Sequence, residues 1–229
     1  MKIKVENIAQ MIDQSKLDPY VTEKEIVKFC KEVIEYNFVA AFVLPANLSI
    51  AKKELKNSSV KLGTGIGFPF GTTTTKSKLQ ECEEALKLGV DELDTVINIG
   101  ALKSENYKYV YNELKQLVNL VAPKPLKVIL EVSYLTPEEI KEGTRIGCEV
   151  GVEYVKTGTG YGSRDTNLFD INLIAEAIDD NTKIKAAGGI RDIYTLIEMY
   201  KLGVRRFGLS RGPEIIEQFK EYFAGEIEI

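Results

Sequence analysis

Glu153-Tyr154-Val155-Lys156-Thr157-Gly158-Thr159-Gly160 and, further on, Lys183-Ile184-Lys185-Ala186-Ala187-Gly188-Gly189 are two phrases of one design. Each reads as the last residues of a buried strand, bearing a lysine, that break into a glycine-rich loop. The lysines are separated by roughly 30 residues, the length of one strand–helix–strand unit in a parallel sheet. Neighbouring strands lie about 4.8 Å apart, so the two amines are expected side by side where the sheet ends.

The same alternation extends in both directions. Further strands are predicted at 12–17, 38–44, 60–67, 92–97, 126–132 and 205–208, beside 153–156 and 183–186. Helices are predicted at 5–11, 22–36, from Leu48 onward, and at 76–88, 107–121, 168–177, 193–202 and 213–223. Thr22-Glu23-Lys24-Glu25 is a capping box, and Pro137 suits the first turn of another helix, where its missing N–H costs little. Eight strands, each followed by a helix or helix-like turn, predict an α/β chain with a closed (β/α)8 TIM barrel and an extra N-terminal helix. The run has no linker or low-complexity break, so 1–229 is expected to be a single domain. Everything hinges on 12–17: if it is not a strand, seven units remain and an open doubly wound sheet competes.

Composition narrows the chemistry. The 229 residues are 44% hydrophobic, enough for one sizeable core. A net charge of −4 argues against a nucleic-acid binder, which usually needs a basic face. The first residues lack the apolar stretch of a signal peptide, and the apolar run before Pro45 is too short for a membrane span. Cys30, Cys82 and Cys148 are odd in number and widely spaced, as packed free thiols of a reducing compartment would be. A soluble cytoplasmic protein without nucleic-acid or membrane partners is expected. The chain has no histidine. That excludes a His-ligated zinc site and any Ser–His or Cys–His nucleophile pair, leaving acid/base work to Lys, Asp, Glu, Tyr or water.

In such a barrel, function gathers where strands end and loops begin. Either lysine alone reads as an exposed strand-end residue. As a buried pair they push one pKa well below the free value of about 10.4, and a neutral lysine is a nucleophile. Asp91 and Glu92 read as solvated residues where a helix passes into a strand. Asp94, flanked by Leu93 and Thr95-Val96-Ile97, reads as a carboxylate inside the strand that needs a partner. It serves as a structural ion pair or as the proton shuttle of imine chemistry. Asp13 is a second inward candidate, or else a cap or turn residue. The loops Thr157–Gly160, Gly188-Gly189 and Gly208-Leu209-Ser210-Arg211-Gly212 resemble a barrel phosphate site completed by a short helix N-terminus. Arg211 either adds a bidentate contact or is solvated. The loop from Gly67 to Lys76 covers a substrate or forms a rigid turn with a threonine cap.

Together these phrases resemble the deoxyribose-phosphate aldolase family over nearly the whole chain. The resemblance rests on Ile12-Asp13-Gln14-Ser15, Gly67-Phe68-Pro69-Phe70-Gly71, Asp91 through Leu102, Leu126-Lys127-Val128-Ile129-Leu130-Glu131, Val155-Lys156-Thr157-Gly158-Thr159-Gly160, Lys185 through Arg191 and Gly208-Leu209-Ser210. It implies a barrel without metal or other cofactor that reversibly cleaves 2-deoxy-D-ribose 5-phosphate. It implies that Lys156 forms a Schiff base, that Lys185 depresses the Lys156 pKa, and that Asp94 moves protons with water and Lys185. Thr157, Thr159, Gly160, Gly188, Gly189, Gly208, Ser210, Arg211 and Asp13 are then the phosphate- and substrate-binding set. Three positions depart from the family: Gly158 and Arg211 replace serines, and Gln14 stands where many members have histidine. Gly158 is expected to cost a hydroxyl near the imine. The departures keep open a sibling lysine-imine aldolase for another phosphorylated sugar, and a barrel that only binds a sugar phosphate stays as the non-enzymatic alternative. A homodimer is compatible with such a barrel, although no sequence patch identifies a contact.

Overall fold

A computed structural model describes residues 2–228. Its first elements are β1 (Lys2–Lys4), α1 (Val5–Ala9), β2 (Ile12–Lys16), α2 (Glu23–Glu35), β3 (Ala40–Val43) and α3 (Leu48–Leu55). Next come β4 (Lys61–Ile66), α4 (Thr75–Lys87), β5 (Glu92–Val96), α5 (Ile99–Lys103), α6 (Tyr107–Val121) and β6 (Leu126–Ile129). The remainder is α7 (Pro137–Val150), β7 (Tyr154–Lys156), α8 (Leu168–Ala175), β8 (Lys183–Ala187), α9 (Ile193–Lys201), β9 (Val204–Leu209), α10 (Gly212–Phe223) and β10 (Glu226–Glu228). Strands β2 to β9 close into a parallel eight-stranded barrel in chain order. The 12–17 segment is therefore a strand, and β2 completes the ring by pairing with both β3 and β9. The open sheet is excluded.

The alternation of the strands explains the layering. Leu93, Val128, Val155, Ile184 and Phe207 face the helices and belong to the continuous apolar core. Helix α7 sits close on this layer because Gly147 carries no side chain. A Cβ there would stand 3.1 Å from Val128 and 3.2 Å from Val155. The residues one step along the same strands face the lumen, and many are charged, where barrel interiors are usually filled by Val, Ile and Leu.

Local devices fix the ends of the units. Thr22, Thr74 and Thr136 cap α2, α4 and α7, and Pro137 occupies the first turn of α7. In the Gly67–Lys76 stretch, Gly67 N–H donates to Glu81 (2.7 Å) and Gly71 N–H to the Gly67 carbonyl (2.7 Å), a tight turn ahead of the Thr74 cap. Strand β6 stops before Glu131, whose backbone is left-handed (φ 57°), so the strand is shorter than the sequence suggests. Lys78 of α4 and Glu113 of α6 form a fully buried ion pair at 2.6 Å. Lys78 also donates to the Val96 carbonyl at 2.8 Å, tying two helices to the top of β5. The antiparallel pair of β1 with β10 lies outside the barrel and leaves no mark in the sequence pattern. Among the described residues no helix is long and apolar enough to cross a membrane.

Candidate active site

Register brings the two lysines together. Lys156 of β7 pairs directly with Lys185 of β8, and in parallel strands paired residues point the same way. Both are buried, and their ammonium nitrogens donate to a single oxygen, Asp94 Oδ2, at 2.8 and 2.7 Å. Asp94 Oδ1 accepts from Lys127 Nζ at 3.1 Å. Asp13 Oδ2 stands 2.6 Å from Lys185 Nζ, and its Oδ1 is 2.7 Å from Arg206 Nε. These last two are charge contacts whose angles fall outside hydrogen-bond geometry. Lys127 and Arg206 continue inward to Glu92, at 2.6 and 2.5 Å.

Glu92 is therefore not a solvated residue. It is 2% exposed, because its side chain shares the inward parity of Asp94, two residues along β5. Lys127 and Arg206 are given no role by the sequence, and Glu92 reads there as solvated, yet charged residues two apart within an apolar strand, as Glu92 and Asp94 are, signal that partners meet inside the barrel. The buried cluster holds four cations, Lys127, Lys156, Lys185 and Arg206, against three carboxylates, Asp13, Glu92 and Asp94. One cation is in surplus, and an amine that releases its proton balances the set.

The electrostatics follow from this count. Burial pulls Lys185 down to about 8, against the opposing pull of Asp13 and Asp94 and with help from Lys156 and Lys127. Burial disfavours the charged form of Asp94, but Lys127, Lys156 and Lys185 outweigh it and hold the carboxyl well below its usual range. Glu92 is held low in the same way by Lys127 and Arg206. Lys127, also opposed by burial, is held firmly protonated by Asp94, Asp13 and Glu92.

Above the cluster a cavity of about 380 Å³ opens at the carboxyl ends of the strands. Asp13, Lys156, Thr159, Gly160, Lys185, Gly188, Gly189, Gly208, Ser210 and Arg211 all line it. Thr157 does not. Its hydroxyl donates to the Ala187 carbonyl (2.8 Å) and accepts from Ala187 N–H (2.9 Å), stitching β7 to β8. Gly188 and Gly189 have φ of 95° and 84°, the left-handed region that favours glycine, so this loop can turn its backbone toward a ligand. Arg191 and Asp165 form an exposed ion pair at 2.5 Å on the rim. At the start of α10 the Gly212 N–H donates to Gln14 Oε1 (2.9 Å), and Gln14 Nε2 donates to the Ser210 carbonyl (3.3 Å). Gln14 thus sets the position of the last glycine loop.

These features have counterparts among known proteins. Residues 7–215 match the model of the DeoC/LacD family of aldolases. The chain belongs to this aldolase family. It is 42% identical over 214 residues to the deoxyribose-phosphate aldolase of Thermococcus kodakarensis, covering 92% of this chain and 96% of the relative. It is 41% identical to the enzyme of that name from Coprothermobacter proteolyticus, with the same coverage of each chain. Among solved structures, an aldolase designated QR15 superposes with a TM-score of 0.90 at 38% identity, covering 95% of this chain and 97% of that one. The deoxyribose phosphate aldolase of Aeropyrum pernix, described as a unique tetramer, superposes with a TM-score of 0.88 at 27% identity, covering 95% and 93%.

Within this aldolase the Gly158 departure has a local reason. Gly158 does not line the cavity, and a Cβ there would stand 3.0 Å from Glu131 Oε1 and 3.5 Å from the Ala187 carbonyl. A side chain at this position meets a carboxylate, so the glycine removes no hydroxyl from the cavity wall. Glu131 is itself buried and braces the loop: it accepts from Thr159 N–H (3.0 Å), from the Thr159 hydroxyl and from Ser133 Oγ (3.1 Å). Arg211, by contrast, does line the cavity beside Ser210.

Proposed function

We propose that this aldolase reversibly cleaves 2-deoxy-D-ribose 5-phosphate to acetaldehyde and D-glyceraldehyde 3-phosphate through a Schiff base on Lys156, within a single domain spanning 1–229. The observation that carries the proposal is the sharing of one Asp94 oxygen by Lys156 and Lys185 at the base of a glycine-walled cavity. The curated relatives named for this reaction support the choice of sugar.

The steps follow from where the groups sit. Lys156, lining the cavity, attacks the C1 aldehyde of the open-chain sugar in its neutral form, and loss of water with uptake of one proton from the cluster leaves a protonated imine. A base removes the C3 hydroxyl proton, and the C2–C3 bond breaks as its electron pair moves into the imine to give an enamine. Glyceraldehyde 3-phosphate leaves as the aldehyde. Protonation of the enamine at C2 and hydrolysis release acetaldehyde and restore Lys156. Asp94, fixed between two amines, and Lys185, with water, are suited to these proton transfers. The backbone of the Gly160, Gly188-Gly189 and Gly208 loops, with Ser210 and Arg211, is suited to the phosphate, which orients the chain before the chemistry. No cofactor is called for, and the cytoplasm is the proposed location.

Borohydride reduction in the presence of acetaldehyde or deoxyribose 5-phosphate, followed by peptide mass spectrometry, tests the reading. An adduct is expected on Lys156, and its absence from every lysine would sink the imine mechanism. Arg211 in the cavity wall favours, as a second reading, a different phosphorylated sugar, which competition assays against deoxyribose 5-phosphate would reveal.

Lys185 supplies a further prediction. Protonated, it can donate a proton to the reacting sugar, and it loses that proton as pH rises through about 8. The cleavage rate is therefore expected to fall on the alkaline side with a midpoint near that value. Lys185→Leu should lose most of the rate and also that alkaline limb. A limb retained at the same midpoint in the variant would assign it to another group.

A further inference from the structure

One large apolar side chain reaches two amines of the buried cluster from inside the barrel, and nothing in the proposed chemistry uses it. Phe42 of β3 is 4% exposed and lines the cavity. Its ring centroid lies 4.1 Å from Lys185 Nζ and 4.7 Å from Lys127 Nζ, so two cations rest against its face. In the closed ring of eight strands, β3 and β7 stand four strands apart in either direction. Phe42 therefore faces Lys156 across the lumen.

The ring is seated by an omission on the next strand. Phe42 pairs in register with Gly63 of β4, and a Cβ at Gly63 would overlap Cζ of the ring and lie 2.7 Å from both Cε atoms. Gly63 does not have a left-handed backbone, so no turn requires glycine there. The missing side chain makes room for the ring. Held by Gly63 on one side and by two ammonium groups on its face, the ring is a fixed wall.

We infer that Phe42 is a specificity-determining residue that limits the length of the donor aldehyde. This rests on the lysine-imine reading above. The phosphate-bearing part of the substrate points to the glycine loops at the rim, so the two-carbon donor attached to Lys156 occupies the deep end of the cavity. A carbon added to that donor meets the Phe42 ring. Acetaldehyde fits in front of it, and propanal is opposed by contact with a side chain that cannot swing aside.

The test traps donors on the enzyme without any acceptor. Wild type, Phe42→Ala and Phe42→Leu are reduced with borohydride in equal mixtures of acetaldehyde and propanal, and the two adducts on the Lys156 peptide are quantified by mass. Because one methylene in a tight pocket discriminates by about 10-fold or more, Phe42→Ala should raise the propanal-to-acetaldehyde ratio by about that factor over wild type, with Phe42→Leu between them. Phe42→Ala combined with Gly63→Leu, which refills the space from the neighbouring strand, should move the ratio back toward wild type. A continuing acetaldehyde adduct in each variant reports an intact site. A ratio in Phe42→Ala equal to that of wild type, with adducts present, overturns the role of Phe42 and leaves the imine reading standing. No lysine adduct in wild type overturns both.

Discussion

Lys156→Leu is expected to abolish aldol cleavage, with a loss of about 10⁴-fold or more in kcat, while the folded state is as stable as wild type or more so. The first half follows from the proposed chemistry, in which Lys156 forms the imine, and removing a covalent nucleophile typically costs at least this much. The second half follows from the charge count. The buried cluster holds Lys127, Lys156, Lys185 and Arg206 against Asp13, Glu92 and Asp94, and removing Lys156 leaves three cations and three carboxylates. Asp94 still accepts from Lys185 and Lys127, so no carboxylate is stranded. Leucine fills much of the buried stem of the lysine, and replacing a buried charge with a packed apolar group is often neutral or stabilising. Cleavage is measured by aldehyde release and stability by the urea midpoint. Residual activity within about tenfold of wild type would show that another amine forms the imine. A clearly lower midpoint would show that the cluster needs its fourth cation.

Much of this arrangement is legible in the sequence, for a definable reason. Apolar residues mark the outward face of most strands because they meet the helices, as Leu62, Leu93, Val128, Val155, Ile184 and Phe207 do, whereas β2 carries Gln14 on that face. The strand-end lysines stand out because glycine follows each of them. Glu92, Lys127 and Arg206 are harder to see. Each lies near the amino end of a strand, where a charged residue ordinarily meets solvent, and each is explained only by partners more than thirty residues away in the chain. Glu131 is hidden differently. Its role depends on a left-handed backbone that ends β6 early and turns the carboxylate onto the Thr159 loop. Thr157 is the converse case: it sits inside the expected binding loop, but hydrogen bonds to the Ala187 backbone occupy its hydroxyl. Sequence pattern reports which face a residue takes, while its partner across the barrel depends on closure and register.

Asp94→Asn is expected to fail in both respects, and that contrast separates the proposed nucleophile from the carboxylate that accepts from it. Asparagine has the size of aspartate, but its amide offers one acceptor where the carboxylate has two. In the wild type both oxygens face ammonium groups, Lys156 and Lys185 on Oδ2 and Lys127 on Oδ1. Either orientation of the amide sets an NH2 group against a lysine. The cluster then holds four cations against two carboxylates, and breaking a buried pair in this way costs about 3–5 kcal/mol, more than most single substitutions. Loss of the proton shuttle should reduce kcat by about 10²–10⁴-fold as well. The pH dependence gives the argument its sign. Asp94 has a depressed carboxyl in the folded state, so its contribution is complete above the unfolded value of about 3.9 and disappears only as pH falls through the lower folded value. In the asparagine variant the strain comes from surplus ammonium groups. As pH rises they shed protons that the unfolded chain keeps until about pH 10.4, so the folded state binds fewer protons and gains stability. Urea midpoints of wild type and variant at about pH 6 and about pH 9 should therefore differ widely at the lower pH and converge at the higher one. An equal gap at both would mean that the lost stability comes from packing or hydrogen bonding and not from unbalanced charge.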